Sequence, residues 1–296
     1  MSQMRITVLG TSASAPTKER GLPAIFLEFM GEGFLFDVGE GTQRNFMRFG
    51  RSFMKITHIF ISHYHGDHVF GLPGLLSTMA LYGRQRPIHV WVPERQVVYV
   101  ERFLRALVPS LPFSVEFHPA APGVLLSTKE YSVSAYALDH TTDCLAYVFE
   151  ETPRLKANKA KLRQYGLHGP IVGRLKAGEC VEWNGQKICP EDVVYEKPGR
   201  KVVYVADTRP VLSDAARNAD VLIHEATFLE SERQMAVEKK HSTAAEAAQV
   251  AKSLGAKRLV LFHFSPRIDD LSFVVSEARM YFDNVVAAED GYTIEI

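Results

Sequence analysis

Within six consecutive residues, His63 to His68, this chain carries three imidazoles and a carboxylate: His63, His65, Asp67 and His68 in the stretch ISHYHGDHVFG. Imidazole nitrogen and carboxylate oxygen together suit Zn²⁺ and its first-row neighbours. Gly66 allows the tight turn between them. One catalytic zinc keeps a coordination position open for water, so four ligating groups in so short a run exceed what a single ion takes. The crowding points to a hydrolytic centre with two ions. Such a pair sits roughly 3.5–4 Å apart and needs a bridging group with further ligands from elsewhere. His140 in ALDHTTD, Asp207 in YVADTRP and His263 in LVLFHFSP are candidates, since each follows a predicted strand. Strand ends gather distant residues onto one rim of a sheet. A lone histidine after a strand is ordinarily packed or solvated; beside HYHGDH these three acquire a reason to converge. His58, His89, His118 and His168 keep the plain reading.

The elements that must position these residues alternate along the chain. Short β-branched and aromatic runs predict strands over residues 4–9, 24–29, 34–38, 59–62, 88–92, 115–118, 131–138, 145–149, 202–206, 221–224 and 258–262. Helices are predicted over 69–81, 94–107, 213–218, 243–254 and 270–281. This interleaving implies an α/β protein, its sheets covered by helices on their outer faces. Residues 150–193 break the pattern: they are rich in Lys, Gly and Pro and poor in periodic apolar positions. They read as an arm inserted into a single domain of 1–296, without core-forming residues of its own.

At 296 residues, 46% hydrophobic and 23% charged, the composition is that of an ordinary globular chain and excludes disorder. No apolar run is long enough to span a bilayer, and MSQMRITVLG lacks a secretory signal's charged start and cleavage site. Three cysteines, Cys144, Cys180 and Cys189, with no CxxC, argue against a disulfide framework and for a reducing cytoplasm. Sparse Asn and Gln lean towards a thermophilic source. The formal net charge of +0 gives nucleic-acid binding no general support, so any such role needs locally concentrated charge. PRLKANKAKLRQYGLHGPIVGRLK, Pro153 to Lys176, supplies it: Arg154, Lys156, Lys159, Lys161, Arg163, Arg174 and Lys176 occur there with no acidic residue.

HYHGDH resembles the signature of the metallo-β-lactamase superfamily, whose fold is an αββα sandwich with metals on one edge. LGTSASAPTKERG, LFDVGEGTQR, ISHYHGDHVFGLPGLL, ADT, HEATF, HSTAAEAA and LFHFSPR together resemble the ribonuclease Z family of tRNA 3′-processing endonucleases, over essentially the full length. The resemblance implies that His63, His65 and His140 hold one zinc, that Asp67, His68 and His263 hold a second, and that Asp207 bridges them. It makes Asp67 the general base, and His241 the proton donor to the leaving ribose 3′-oxygen, aided by Glu225. It implies removal of the 3′ trailer from precursor tRNA near the discriminator nucleotide, leaving a 3′-hydroxyl, by a cytoplasmic homodimer in which the arm of one subunit clamps RNA cut by the other.

In the arm, Lys159, Lys161, Arg163 and Arg174 correspond to phosphate contacts, Gly169 and Pro170 to a Gly-Pro hairpin, and GRLKAG to its return strand. The loop PTKERG resembles a PxKxRN loop near the tRNA 3′ end. Lys18 and Arg20 match it, while Gly21 stands where Asn is usual. Arg44, Thr243 and Ser265 are further RNA contacts on this reading. The rivals are another hydrolase of the same fold (a general phosphodiesterase or a glyoxalase II-like thioesterase) and a catalytically silent RNA-binding module.

Overall fold

A computed structural model describes residues 3–296. In chain order its strands begin with β1 (Met4–Gly10), β2 (Ala24–Phe29), β3 (Glu32–Phe36), β4 (Ile56–Phe60), β5 (Ile88–Pro93) and β6 (Val115–Ala120). They continue with β7 (Gly123–Ser127), β8 (Tyr131–Leu138), β9 (Cys144–Glu151), β10 (Arg154–Ala157), β11 (Val181–Trp183) and β12 (Gln186–Ile188). The last are β13 (Val194–Lys197), β14 (Lys201–Val205), β15 (Val221–Glu225), β16 (Leu259–Phe262), β17 (Val285–Ala287) and β18 (Thr293–Glu295). The chain forms two compact units.

The first unit comprises the chain through Ser127, Val133–Phe149 and Lys201–Ile296. One seven-stranded sheet has the order β18-β1-β2-β3-β4-β5-β6, the other β17-β16-β15-β14-β9-β8-β7. The β2–β3 hairpin closes through Met30 and Gly31, both at positive φ (51° and 87°), the two-residue turn whose twist matches paired strands. From β3 to β6 the pairing is parallel, so each connection must cross over, and helices Thr42–Arg48, Gly71–Leu81 and Val97–Leu107 do so.

Period-two alternation decides the layers. Ile59 and Ile61 pack into the cluster with Leu72, Leu75, Leu76 and Met79 under the outer helices. The intervening Phe60 faces the second sheet, 5.2 Å from the Tyr147 ring, and Phe36 stacks on Tyr204 at 5.6 Å. On the other sheet, helix Ala244–Ser253 packs against β15 and β16 through an almost wholly buried alanine-rich face. Its start is a reciprocal cap: Thr243 Oγ1 accepts from the Glu246 amide, and Glu246 Oε2 accepts from the Thr243 amide. The architecture is the αββα sandwich expected.

Local boundaries differ from the sequence expectations. The helix predicted over 69–81 divides at Phe70 into Gly66–Val69 and Gly71–Leu81, while 213–218 is only a 3₁₀ turn, Asp214–Ala216. Helix Thr42–Arg48 lies outside the expected set; it is a single crossover of seven residues with no side-chain cap, too short to show periodicity.

The second unit comprises Thr128–Ser132 and Glu150–Arg200. It holds the antiparallel pair β10–β13, the hairpin β11–β12, and helices Lys159–Gln164 and Pro170–Lys176. The expectation that this segment lacks core-forming residues is corrected: Leu167, Leu175, Val181, Ile188 and Val193 are buried together. The expected Gly169–Pro170 hairpin with a return strand is corrected too. Gly169, at φ 67°, caps a helix that opens on Pro170, and GRLK forms its end. Proline is favoured at a helix's first position because its missing N–H has no intrahelical partner there. Cys180 and Cys189 are joined by a disulfide, against the expectation of unpaired cysteines.

Candidate active site

Strand ends do the gathering. His63 follows β4, His140 follows β8, Asp207 follows β14 and His263 directly follows β16, while Glu225 closes β15. The four-residue helical turn Gly66–Val69 brings Asp67 and His68 to the same rim.

Asp207 lies between two sets of side chains. Its Oδ2 is 3.7 Å from His63 Nε2 and 3.8 Å from His140 Nε2. Its Oδ1 is 3.4 Å from His68 Nε2 and 3.2 Å from His263 Nε2. Asp67 Oδ2 stands 3.6 and 3.5 Å from those last two nitrogens. His65 Nδ1 faces His63 Nε2 at 2.8 Å and His140 Nε2 at 3.4 Å. The structure therefore brings together all seven residues singled out for metal binding, as His63, His65, His140 with Asp207, and Asp67, His68, His263.

Four rings are aimed inward by a tie on the opposite nitrogen. Nδ1 of His63 meets Ser62 Oγ at 2.9 Å, that of His68 meets Asp37 Oδ2 at 2.7 Å, that of His140 meets the Lys240 carbonyl at 3.0 Å, and that of His263 meets Thr227 Oγ1 at 2.9 Å. This is how metal-binding histidines are ordinarily oriented. Asp37, Lys240 and His263 all take positive φ (56°, 56° and 60°), a local strain collected around one site.

His68 Nε2, His263 Nε2 and Asp207 Oδ1 are buried, and none has a hydrogen-bond partner among the described residues. Leaving a buried polar atom unsatisfied costs about 1–3 kcal/mol. A cation at their meeting point would satisfy all three, and the nitrogen–oxygen donor set suits a divalent first-row metal. The residues fit.

Burial, with neighbouring imidazoles, pushes the pKa of His63, His65 and His140 down, so each offers a free lone pair. His68 goes the other way: burial opposes its charge, but Asp207, Asp37 and Asp67 outweigh burial. Burial likewise opposes the charge on Asp207 and Asp67, and facing histidines overcome it, holding both carboxyls below the usual range.

His241 borders this cluster. Its Nδ1 is 3.0 Å from Glu225 Oε1. Burial disfavours its charge, yet Glu225 and Asp207 raise its pKa to about 9. Glu225 is fully buried and accepts from the amides of Thr208, Thr227 and Ser242, so its carboxylate is fixed. Behind His241, Arg209 donates to its carbonyl and pairs bidentately with Glu246. A cleft of about 520 Å³ opens over Ser14, His65, Asp67, His140, His241 and Ser265.

The remaining expected contacts divide. Lys18 is exposed beside a second cavity of about 980 Å³ that Arg20 also lines. Arg20 spends its guanidinium on the loop after His263, donating to the carbonyls of Ile268 (2.8 Å) and Ser265 (3.3 Å). Gly21 has its own reason to lack a side chain: a Cβ there would lie 2.6 Å from Asn45 Nδ2. Thr243 is corrected, being fully buried with its hydroxyl given to the helix cap and to Glu230. Arg44 is exposed. In the second unit, Lys159, Lys161 and Arg163 are exposed on one helix, while Arg174 pairs with Glu179 at 2.7 Å.

Asp37 escapes a reading of the sequence. It accepts from Ser62 N and Oγ, from Tyr204 OH and, in one tautomer, from His68 Nδ1. Its one signal is a carboxylate ending the apolar run FLF, a place where a charge needs several partners to be buried.

The sandwich and the rim of imidazoles and carboxylates define the class: a metallo-β-lactamase-fold protein with a site suited to divalent metal. A beta-lactamase superfamily domain model matches residues 192–264, and the model for the anti-Pycsar protein Apyc1 matches residues 4–111. The human tRNase Z short form superposes with a TM-score of 0.72 at 30% identity, covering 98% of each chain. YhfI of Bacillus subtilis, also at 0.72 but 19% identical, shares the fold. Ribonuclease Z of Methanosarcina mazei is 40% identical over 99% of this chain and 98% of its own length. That of Myxococcus xanthus is 40% identical over 100% and 99%. This chain belongs to the ribonuclease Z family. No described helix is long and apolar enough to cross a membrane.

Proposed function

We propose that this chain is a zinc-dependent endoribonuclease that removes the 3′ trailer from precursor tRNA, cutting near the discriminator nucleotide and leaving a 3′-hydroxyl on the tRNA. As a ribonuclease Z family member with a metallo-β-lactamase fold, it is an endoribonuclease that hydrolyses phosphodiester bonds. The observation that carries the reading is the shared carboxylate: Asp207 presents one oxygen to His63 and His140 and the other to His68 and His263.

On this reading His63, His65 and His140 would hold one Zn²⁺, Asp67, His68 and His263 a second, with Asp207 between them. When bound, such a pair supplies an acidified water at neutral pH and neutralises charge building on the phosphate. Asp67, its Oδ2 fixed by the Ser14 amide at 2.8 Å, would orient the attacking water and accept its proton. His241 gives its proton to the departing ribose 3′-oxygen, while Glu225 stabilises the imidazolium and fixes its orientation. Arg209 and Glu246 hold the His241 backbone still while this happens.

Lys159, Lys161 and Arg163 have no acidic partner among the described residues and are free to meet tRNA phosphates, with Arg174 adding to the field. Lys18 and Ser265 would meet the 3′ end; Arg20 shapes the loop that carries Ser265. Exposed Phe70, Leu81, Tyr82, Val98 and Tyr99 support a homodimer, because such apolar side chains are costly to leave in water. The cytoplasm is the compartment this substrate requires, and disulfides within the cytoplasm are a habit of hyperthermophiles.

Incubating the zinc-loaded protein with precursor tRNA and mapping both new ends tests the reading. A cut at the discriminator with a 3′-hydroxyl supports it. Intact precursor in the presence of full metal content overturns it.

A further inference from the structure

Away from the candidate active site, three ligating side chains meet on the edge of the first sheet. β5 and β6 pair in parallel with His89 opposite Glu116 and Trp91 opposite His118. Residues opposed in this way share a face, so His89, Glu116 and His118 project from the same side of two adjacent strands. His89 Nδ1 lies 3.1 Å from His118 Nε2 and 3.2 Å from Glu116 Oε2. All three ligand atoms fall within 4.8 Å of one another.

A hydrogen bond alone accounts for this poorly. His89 carries at most one proton on Nδ1, and that nitrogen faces two acceptor-capable atoms at almost equal distance. One proton serves one of them. A cation at the centre serves all three. The spacing also suits a metal: ligand bonds of about 2.0–2.1 Å in tetrahedral array put neighbouring ligand atoms about 3.3 Å apart.

The rings are held ready. His89 stacks on His58 with centroids 4.9 Å apart, and His118 stacks on Trp91 at 4.5 Å. Trp91 Nε1 in turn donates to His58 Nδ1 at 3.3 Å. His89 and His118 are half-buried and Glu116 is exposed, so an ion can enter from solvent. β6 is the terminal strand of its sheet, with β5 as its partner. The group is remote from the rim: His58, directly paired with His89, precedes His63 by five residues, about 16 Å of extended chain.

We propose that His89, Glu116 and His118 form a further metal site, taking a first-row divalent cation such as Zn²⁺ and clipping the edge strand β6 to β5. Two imidazoles and one carboxylate leave the remaining position to water. The site acts on the fold and takes no part in phosphodiester cleavage.

The test is metal content after equilibrium dialysis of the full-length protein against micromolar ZnCl₂, for wild type, His118→Phe and Glu116→Gln. Phenylalanine keeps the stack on Trp91 but has no lone pair. Wild type should retain one equivalent of zinc more than His118→Phe, and both should cleave precursor tRNA at the same rate. Glu116→Gln, at an exposed position that places no demand on folding, should bind that last equivalent at least 10-fold more weakly. Equal zinc content in wild type and both variants overturns the site. Loss of cleavage in a folded His118→Phe overturns its separation from the catalytic centre. If His118→Phe does not fold, the Glu116→Gln affinity decides.

Discussion

His68 Nδ1 lies 2.7 Å from Oδ2 of Asp37, and both side chains are fully buried. The contact fixes which His68 nitrogen turns towards Asp207 and Asp67. Asp37 also binds Ser62 and Tyr204, so one carboxylate ties the second sheet to the turn that carries the histidines. Asp37→Asn keeps the shape but loses the charge and one acceptor oxygen. Metal affinity should fall about 10–100-fold, the usual cost of losing such a partner. Zinc titration against a competing chelator measures it. Affinity unchanged from wild type would show that His68 needs no such support.

Glu225 and His241 make the pH profile specific. With the His241 pKa raised to about 9, the imidazolium persists through neutral pH and is lost above that value. Cleavage that needs its proton should hold level to about pH 9 and then fall. Glu225→Gln removes the largest upward influence, so the falling limb should move towards lower pH. His241→Ala should cost about 10²–10⁴-fold in rate, the usual range for a general acid, with zinc content intact. Rates for a bis(p-nitrophenyl) phosphate ester, whose leaving group needs no proton, should barely change. A His241→Ala enzyme that cleaves tRNA at the wild-type rate would remove His241 from the chemistry.

How much is legible in the sequence follows from where each signal sits. His63, His65, Asp67 and His68 are adjacent in sequence, and His140, Asp207 and His263 each end an apolar run, so local pattern and strand-end logic reach all seven. Asp37 depends on β3 lying beside β4, a pairing across more than twenty residues that no local pattern reports. Thr243 misleads because a threonine at the start of a helix can as well face a ligand as cap the helix; the buried hydroxyl decides for the cap. The small core of the second unit joins Leu167 and Leu175 to Val181, Ile188 and Val193 at no single periodicity. Its disulfide joins cysteines nine residues apart across the β11–β12 hairpin, a closeness visible only once that hairpin is formed.

Replacing Lys159, Lys161 and Arg163 together by Gln should raise KM for precursor tRNA while leaving hydrolysis of a small phosphodiester unchanged. Each phosphate left without its cation lowers the slope of log affinity against log salt by about 0.7–0.9, so the triple variant should lose about 2–3 from that slope. Binding measured across a salt series reads this directly. An equal loss on both substrates would mean that these cations act on the fold or the centre and not on RNA.

His58 gives the protein an acid sensitivity with a definite sign. Burial foremost, then His89 and His118, lower its pKa from 6.5 to about 4. Between those values the unfolded chain binds a proton that the folded chain refuses, so stability declines as pH falls from about 6.5 to about 4 and levels off below. A difference of about 2.5 pKa units corresponds to about 3 kcal/mol. His58→Gln keeps an acceptor for the Trp91 indole and removes the titration. Urea midpoints measured from pH 7 to pH 4.5, with chelator present to remove metal-linked protons, should fall less steeply in this variant than in wild type. Parallel curves would mean that the acid loss originates elsewhere, among the other histidines whose pKa burial lowers, such as His63, His65 and His140.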